Sequence, residues 1–260
     1  MRLTRVYVEA VLTPGAIVEL PRETASHLAR VLRARSGDPL ILFTGDGREY
    51  AGSVESVRGS RVTASVGNGA EVDRESPFAI TLVQCVPRGD RMDFIVQKAT
   101  ELGVTRIVPV LSQRSVVRLD AAQAESKAAH WRAVVVNACE QCGRNRLPII
   151  EAPAPLIDYL GSDAAAGAGP PAAGLPTARF VLEPDMEAAA APAAPGTSAM
   201  IAVGPEGGFG DEELDAFRIA GFMRLRLGPR ILRTETAAIA ALTWLQTRFG
   251  DMRAQDSQQA

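Results

Sequence analysis

The sequence predicts an α/β protein of two unequal parts, a small N-terminal β-barrel and a larger domain built on a mainly parallel sheet. Its 260 residues exceed the usual size of a single domain. Short β-like runs separated by glycine turns fill the first 68 residues, whereas strand-like and helical patterns alternate beyond residue 77. These two sequence patterns predict two different kinds of sheet.

The N-terminal part shows five β-like runs and one helix. The runs cover residues 5–10, 17–20, 39–43, 50–57 and 61–66. The helix is predicted over residues 22–33, with His27, Leu28, Val31 and Leu32 on its apolar face. A polar, acidic segment over residues 68–77 then predicts the domain boundary. We therefore expect a barrel over residues 1–72, a second domain over 73–250 and a polar tail over 251–260.

In the second part, apolar runs alternate with helical periodicity. Strands are predicted over residues 79–86, 106–111, 147–151, 179–182, 199–203 and 223–227. Helices are predicted over residues 90–102, 121–142, 155–160, 211–220 and 234–248. Two Ala/Gly/Pro-rich segments, 161–176 and 188–195, predict loops. Alternating strands and helices favour a parallel sheet covered on both faces.

Composition limits the classes of function and the compartment. A formal net charge of −2 argues against a broad cationic surface, so any contact with nucleic acid must be local. Three cysteines are too few for a disulfide framework and suggest a reducing compartment. Neither a signal segment nor a membrane-spanning run is evident. We expect a cytoplasmic protein with no membrane association.

The glycine-rich segment 203–210 is the strongest candidate for a ligand site. It leaves an apolar strand and enters a helix that begins with three acidic residues. Glycines allow a ligand to approach the backbone, but an ordinary tight turn has the same composition. No Gly-Lys-Ser/Thr follows, and the dinucleotide fingerprint is absent. The carboxylates of Glu206 and of the helix start would repel phosphate and suit a positively charged ligand such as a sulfonium.

A second loop, over residues 227–237, follows the next strand through Gly228 and Pro229. Two loops at successive strand ends predict one shared pocket. Five arginines and no acid lie between Arg218 and Arg233. This run is either a solvated basic face or a patch that faces an RNA phosphate.

The segment from Cys139 to Arg146 carries two cysteines and several polar groups at the end of a predicted helix. Its Cys-x-x-Cys spacing lacks the second pair of ligands that zinc requires, so no metal is expected. The polar residues Gln141, Arg144, Asn145 and Arg146 either face a partner or cap the helix. With only two histidines in the chain, His27 and His130, no nucleophile triad is expected.

Five blocks along the chain identify a family resemblance. They are Arg74-Glu75-Ser76-Pro77, Gln97-Lys98-Ala99-Thr100-Glu101-Leu102-Gly103-Val104, the Cys139–Arg146 segment, Gly204-Pro205-Glu206-Gly207-Gly208, and the 227–237 loop. With these blocks the chain resembles the RsmE group of the SPOUT methyltransferases, enzymes that methylate N3 of a uridine in 16S ribosomal RNA (uridine 1498 in the conventional rRNA numbering).

The resemblance implies a PUA-like β-barrel, a SPOUT α/β domain with a deep trefoil knot, and a homodimer that acts on 16S rRNA or the small ribosomal subunit. It also implies that S-adenosyl-L-methionine (SAM) is the cofactor. The residues implied to bind it are Leu182, Glu183, Val203, Gly204, Pro205, Glu206, Gly207, Gly208, Leu227, Gly228, Ile231, Leu232, Arg233 and Thr234.

The catalytic roles are hypotheses. Arg233, Arg144 or both are expected to stabilise negative charge on the uracil oxygens, and Glu206 or Glu235 is the candidate base that takes the N3 proton. Alternatively, Glu235 is a first-turn carboxylate that stabilises its helix.

RNA is expected to contact a set of arginines and one asparagine. These residues are Arg30, Arg33, Arg35, Arg88, Arg91, Arg114, Arg118, Arg144, Asn145 and Arg146. Two other classes remain open at this stage: an RNA-binding or ribosome-assembly factor without transfer activity, and an enzyme that uses the pocket for another adenosine compound.

Overall fold

The computed structural model describes residues 3–162, 178–184 and 196–252. The predicted loops over 161–176 and 188–195 and the predicted tail lie almost entirely outside the described residues. The chain forms two compact units. The first holds the residues up to Glu75 together with Val136–Leu147, and the second holds Ser76–Val135 and the chain from Pro148 onward. No helix in the described ranges is long and apolar enough to cross a membrane.

The first unit contains one mixed sheet and one helix near the N-terminus. Its elements in chain order are β1 (Thr4–Tyr7), β2 (Ile17–Glu19), α1 (Arg22–Arg30), β3 (Pro39–Phe43), β4 (Arg48–Arg58) and β5 (Arg61–Glu71). The strand order is β1-β3-β4-β5-β2. Among these strands no pairing joins β1 to β2, so the predicted barrel is seen here only as a five-stranded sheet.

Strand β5 extends five residues beyond its predicted end and takes up four of the ten residues, 68–77, that were predicted to form the domain boundary. Residues 69–71 pair with residues 48–50 of β4, next to a register shift between Tyr50 and Gly52. A Cβ atom on Gly69 would lie 2.6 Å from the ring of Tyr50. The glycine therefore permits a close approach between the two strands.

Helix α1 ends three residues earlier than predicted, and its buried face differs from the prediction. Arg33 has a φ of 50°, and the Ala34 amide donates to the Leu28 carbonyl, which together close the helix. Ala25 and Leu28 are buried, whereas Val31 and Leu32 are 65% and 50% exposed and His27 is exposed. The predicted apolar face is confirmed for Leu28 and wrong for His27, Val31 and Leu32; the last two lie beyond the end of the helix at Arg30.

The second unit is built on a parallel sheet. Its strands are β6 (Ala79–Cys85), β7 (Arg106–Leu111), β8 (Ile149–Ile150), β9 (Ala154–Pro155), β10 (Ala178–Leu182), β11 (Ser198–Val203) and β12 (Met223–Leu225). The order is β12-β10-β11-β6-β7-β8, with β9 paired to β7, and every pairing is parallel. The predicted parallel sheet is confirmed.

Five further helices complete the described elements. They are α2 (Arg91–Glu101), α3 (Ala121–Cys142), α4 (Leu156–Leu160), α5 (Asp211–Ile219) and α6 (Thr234–Phe249). Helix α3 begins in the second unit, and its last seven residues belong to the first. In the second unit, the core between sheet and helices includes a chain of edge-to-face aromatic contacts among Phe209, Phe217 and Phe222. This packing fixes α5 directly after the glycine-rich loop.

Candidate active site

A cavity of about 280 Å³ lies at the carboxyl ends of β10, β11 and β12. Because the strands are parallel, the loops that follow them emerge at one edge of the sheet and meet there. The cavity is lined by the ends of these strands, by the three loops that follow them, and by Thr234 and Ala237 of α6. The prediction that the two glycine loops share a pocket is confirmed.

The cavity brings together every residue predicted to bind the cofactor except Gly207. Instead, the Gly207 carbonyl accepts a hydrogen bond of 3.1 Å from Arg114 Nη1. Six further residues of the lining were not among the predicted cofactor ligands, namely Pro184, Phe209, Leu225, Arg226, Arg230 and Ala237. For Arg226 and Arg230 the arginine run between 218 and 233 was the available signal.

Two glycines give the loops conformations that other residues rarely adopt. Gly208 has a φ of 67° and Gly228 a φ of 72°, both in the left-handed region. Nothing lies within 4 Å of a Cβ atom built on Gly208. The left-handed backbone conformation, and not a lack of room for a side chain, therefore explains why position 208 is a glycine.

The lining combines an apolar wall with charges of both signs. Leu182, Val203, Leu227 and Leu232 supply aliphatic surface. The carboxylates belong to Glu183 and Glu206, and the guanidinium groups belong to Arg226, Arg230 and Arg233. Such a cavity suits a ligand with a flat apolar ring, a positive centre and a carboxylate.

Two residues that do not line the cavity, Arg91 and Glu213, bond the glycine loop. Arg91, at the start of α2, forms an ion pair with Glu206. Glu213 is fully buried. Its carboxylate accepts hydrogen bonds from the backbone N–H of Gln113 at 2.8 Å and from the backbone N–H of Gly210 at 2.9 Å. The loop after β7 and the start of α5 are thereby joined through one side chain.

The start of α6 is bonded directly to the glycine loop. Thr234, which is 4% exposed, donates from its hydroxyl to the Gly204 carbonyl at 2.7 Å. The neighbouring Glu235 does not line the cavity, and its Oε2 atom is buried without a hydrogen-bond partner in the described part of the chain. Of the two candidate bases, only Glu206 reaches the cavity.

The Arg144 and Asn145 side chains lie in the interior of the first unit. Arg144 is 4% exposed and pairs with Glu75, while Asn145 is 1% exposed and donates to the Val72 carbonyl at 2.9 Å. Arg5 donates to the Asn145 side chain and to the Arg144 carbonyl. Burial in this network favours a structural role for Arg144 and Asn145 over direct contact with RNA or uracil. Arg146, the third predicted RNA contact of this segment, is exposed.

The remaining arginines predicted to bind RNA are accessible. Arg30, Arg33 and Arg35 are exposed in the first unit. In the second unit, Arg88, Arg114 and Arg118 are exposed and Arg91 is half-buried in its ion pair with Glu206. No cluster of three or more His, Cys, Asp or Glu side chains suited to a metal ion occurs within the described ranges.

Two family comparisons cover most of the chain. Residues 74–246 match the RNA methyltransferase domain, and residues 20–67 match the RNA methyltransferase PUA domain. Among curated relatives, the ribosomal RNA small subunit methyltransferase E of Mycobacterium tuberculosis is 34% identical, with 91% of this chain and 88% of the relative covered. The enzyme of the same name from Bacillus subtilis is 30% identical, with 93% and 95% covered.

Solved structures show the same similarity. A ribosomal RNA small subunit methyltransferase E from Neisseria gonorrhoeae, bound to S-adenosyl methionine, has 36% identity and a TM-score of 0.86, with 97% of this chain and all of that one covered. A Legionella pneumophila methyltransferase in complex with SAM has 37% identity and a TM-score of 0.87 at the same coverage. The length of these matches, together with the pocket at the strand ends, shows that the chain belongs to the ribosomal RNA small subunit methyltransferase E family, the RsmE group of the SPOUT methyltransferases.

Proposed function

We propose that this protein transfers a methyl group from SAM to N3 of a uridine in 16S ribosomal RNA. The observation that carries the proposal is the cavity at the ends of β10, β11 and β12, whose lining includes nearly all residues that the family resemblance implies for SAM. Structural relatives from Neisseria gonorrhoeae and Legionella pneumophila hold SAM.

The chemistry of the lining fits SAM. The aliphatic residues offer a surface for the adenine ring, and the loop backbone offers hydrogen-bonding groups for its edge. Glu183 and Glu206 suit the positive charges of the sulfonium and the amino group, while Arg226 and Arg230 suit the carboxylate. When bound, SAM supplies a methyl group bonded to a positively charged sulfur.

Transfer forms a bond between uracil N3 and the methyl carbon, breaks the carbon–sulfur bond, and releases the proton of N3. The chain must hold N3 in line with the breaking bond, so positioning supplies most of the catalysis. We assign to Arg233, exposed at the cavity, the stabilisation of negative charge on the uracil oxygens. We assign the N3 proton to Glu206, because Glu235 lies outside the lining.

Both units contribute to RNA binding in this proposal. The first, including residues 1–72, acts as the PUA-like RNA-binding barrel through Arg30, Arg33 and Arg35. The second, within residues 73–250, adds Arg88, Arg91, Arg114 and Arg118. The proposal includes the rest of the family architecture, namely a deep trefoil knot and a homodimer, no metal, and action in the cytoplasm on 16S rRNA or the small subunit.

The test combines calorimetry with mass spectrometry of the product. The full chain is titrated with SAM, then incubated with SAM and either 16S rRNA or small subunits from a strain lacking this methylation. We expect SAM binding and one new 3-methyluridine. SAM binding without methylation of either substrate would favour an assembly factor, and binding of another adenosine compound in place of SAM would favour a small-molecule enzyme; both results would overturn the proposal.

A further inference from the structure

One fully buried amide lies beside the cavity without lining it. Gln84 is the penultimate residue of β6, and its side chain is 0% exposed. In the sheet it lies in register with Val203 on β11, the residue directly before Gly204. Gln84 therefore lies next to the start of the glycine loop and is shielded from solvent.

Gln84 belongs to a chain of hydrogen bonds that ends in the wall of the cavity. Its Nε2 donates at 2.9 Å to Thr234 Oγ1, and this hydroxyl donates at 2.7 Å to the Gly204 carbonyl. A hydroxyl has one proton, and here that proton is directed at Gly204. The Thr234 oxygen must therefore accept from its other neighbour, and only the NH₂ end of the Gln84 side chain can donate to it.

Stability alone does not account for an amide at this position. Transfer of an amide from water to a protein interior is unfavourable unless its hydrogen bonds are made. Gln84 makes a second bond, to the Cys85 carbonyl, but its Oε1 atom is buried and has no partner among the described residues. An apolar side chain of similar length would avoid that penalty.

We propose that Gln84 is a positioning residue for the cofactor. By donating to Thr234, it directs the threonine hydroxyl at Gly204 and joins the glycine loop to the start of α6. Both segments line the cavity. Gln84 thus fixes the two lining segments against each other without touching the ligand, an inference that rests on the proposed function only in taking SAM as the ligand.

The test is calorimetry with SAM on the full chain carrying Gln84→Met, which keeps the length of the side chain and removes its donors. We expect SAM to bind about tenfold more weakly, because one hydrogen bond of the chain is lost. The thermal midpoint should change by less than about 4 °C, and the affinity for 16S rRNA should not change. If the role of Gln84 were merely structural, the substitution would lower the SAM affinity, the thermal midpoint and the affinity for 16S rRNA together.

Thr234 supplies an independent variant and a matched control. Thr234→Val keeps the shape and removes the hydroxyl, so it should weaken SAM binding to the same extent, whereas Thr234→Ser should restore it. The Gln84→Met/Thr234→Val double variant should bind no more weakly than the weaker single variant, since both changes break one chain of bonds.

Additive losses, or SAM binding by Gln84→Met within twofold of the unmodified chain, would overturn the positioning role. If Gln84→Met does not fold, equal SAM binding by the valine and serine variants at 234 would overturn it instead. Failure of the unmodified chain to bind SAM would contradict the proposed function itself, so the two failures are distinguishable.

Discussion

Arg33 combines a strained backbone with a proposed contact to RNA. It is the one non-glycine residue with positive φ in the described part of the chain, and its guanidinium is exposed. Glycine is the usual residue at this position of a helix end, because a Cβ atom is unfavourable there by about 1 kcal/mol. Backbone strain of this kind clusters at functional sites.

Arg33→Gly should therefore separate stability from RNA binding. We expect the free energy of unfolding to rise by about 0.5–1 kcal/mol, since the left-handed conformation no longer opposes a side chain. Affinity for 16S rRNA should fall and depend less steeply on salt. Denaturant titration and filter binding measure the two effects. Unchanged RNA affinity would remove Arg33 from the proposed interface.

Two half-buried carboxylates of the first unit have pKa values shifted in opposite directions. For Glu49, burial acts to raise the pKa, but hydrogen bonds from Arg74, Arg5 and Asn145 outweigh it and lower the pKa. For Glu140, burial dominates the hydrogen bond from the Tyr7 amide and raises the pKa. The two side chains therefore respond differently to pH.

The lowered pKa of Glu49 means that its ionised form stabilises the unit above the ordinary value of 4.5, and that this stability is lost as the pH falls through the folded value. Glu49→Gln should cost about 2 kcal/mol near neutral pH, because three donors lose a charged acceptor. The difference from the unmodified chain should shrink in acid. Urea titrations at a series of pH values measure it.

Glu140→Gln is the matched control. With a raised pKa, Glu140 stabilises the unit in its neutral form, and this contribution is lost as the pH rises through the folded value. Glutamine keeps an acceptor for the Tyr7 amide and carries no charge. We expect this variant to be more stable than the unmodified chain near neutral pH and equal to it in acid. If both variants changed the free energy of unfolding near neutral pH in the same direction, the opposite pKa shifts of Glu49 and Glu140 would be contradicted.

At the scale of elements, helix α5 and the loop after β7 are joined through Glu213. Its carboxylate is fully buried and satisfies backbone amides of both elements, including the amide of Gly210 that precedes the helix. Buried N–H groups that lose their acceptor are unfavourable by about 1–3 kcal/mol. The glycine loop is held between these elements.

Glu213→Ala should lower the free energy of unfolding by at least about 2 kcal/mol and weaken SAM binding, because the loop loses its anchor. The control is Glu212→Ala, because the exposed Glu212 carboxylate accepts a hydrogen bond from the Gln113 side chain and none from a backbone amide of the described residues. We expect the control to change stability by less than about 0.5 kcal/mol. Differential scanning calorimetry with and without SAM compares them. Equal effects would show that the buried carboxylate is not the anchor.

For the whole molecule, the notable feature is that the first unit is not one continuous segment. Residues 136–147 fold with the N-terminal strands and supply Arg5 with its partners at 144 and 145. The Gly47 amide also donates to the Asn145 carbonyl. The N-terminal segment alone would leave the Arg5 guanidinium with few of its acceptors.

A fragment of residues 1–75 should therefore be unstable, while the same fragment joined through a short glycine linker to residues 136–147 should fold. We expect dispersed amide signals and a cooperative thermal transition only for the joined form. Arg5→Leu in the joined form tests whether the network, and not added length alone, is responsible. A stable, cooperative fold for residues 1–75 alone would contradict this prediction.

The sequence by itself determined the features that depend on local patterns. Strands β3 and β7 and helix α3 have the bounds that periodicity predicts, because apolar spacing and turn residues act within a few positions along the chain. The two glycine loops were placed for the same reason, and parallel strands bring loops of this kind to one edge.

Only the tertiary structure decided which distant residues meet. Gln84 and Thr234 are 150 residues apart, Arg91 and Glu206 are 115 apart, and Arg144 and Glu75 are 69 apart. Whether an arginine is an exposed RNA contact or a buried ion-pair partner depends on the strand order and on the return of residues 136–147 to the first unit. Periodicity contains no information about such pairings, since they are set by how the whole chain is connected in space.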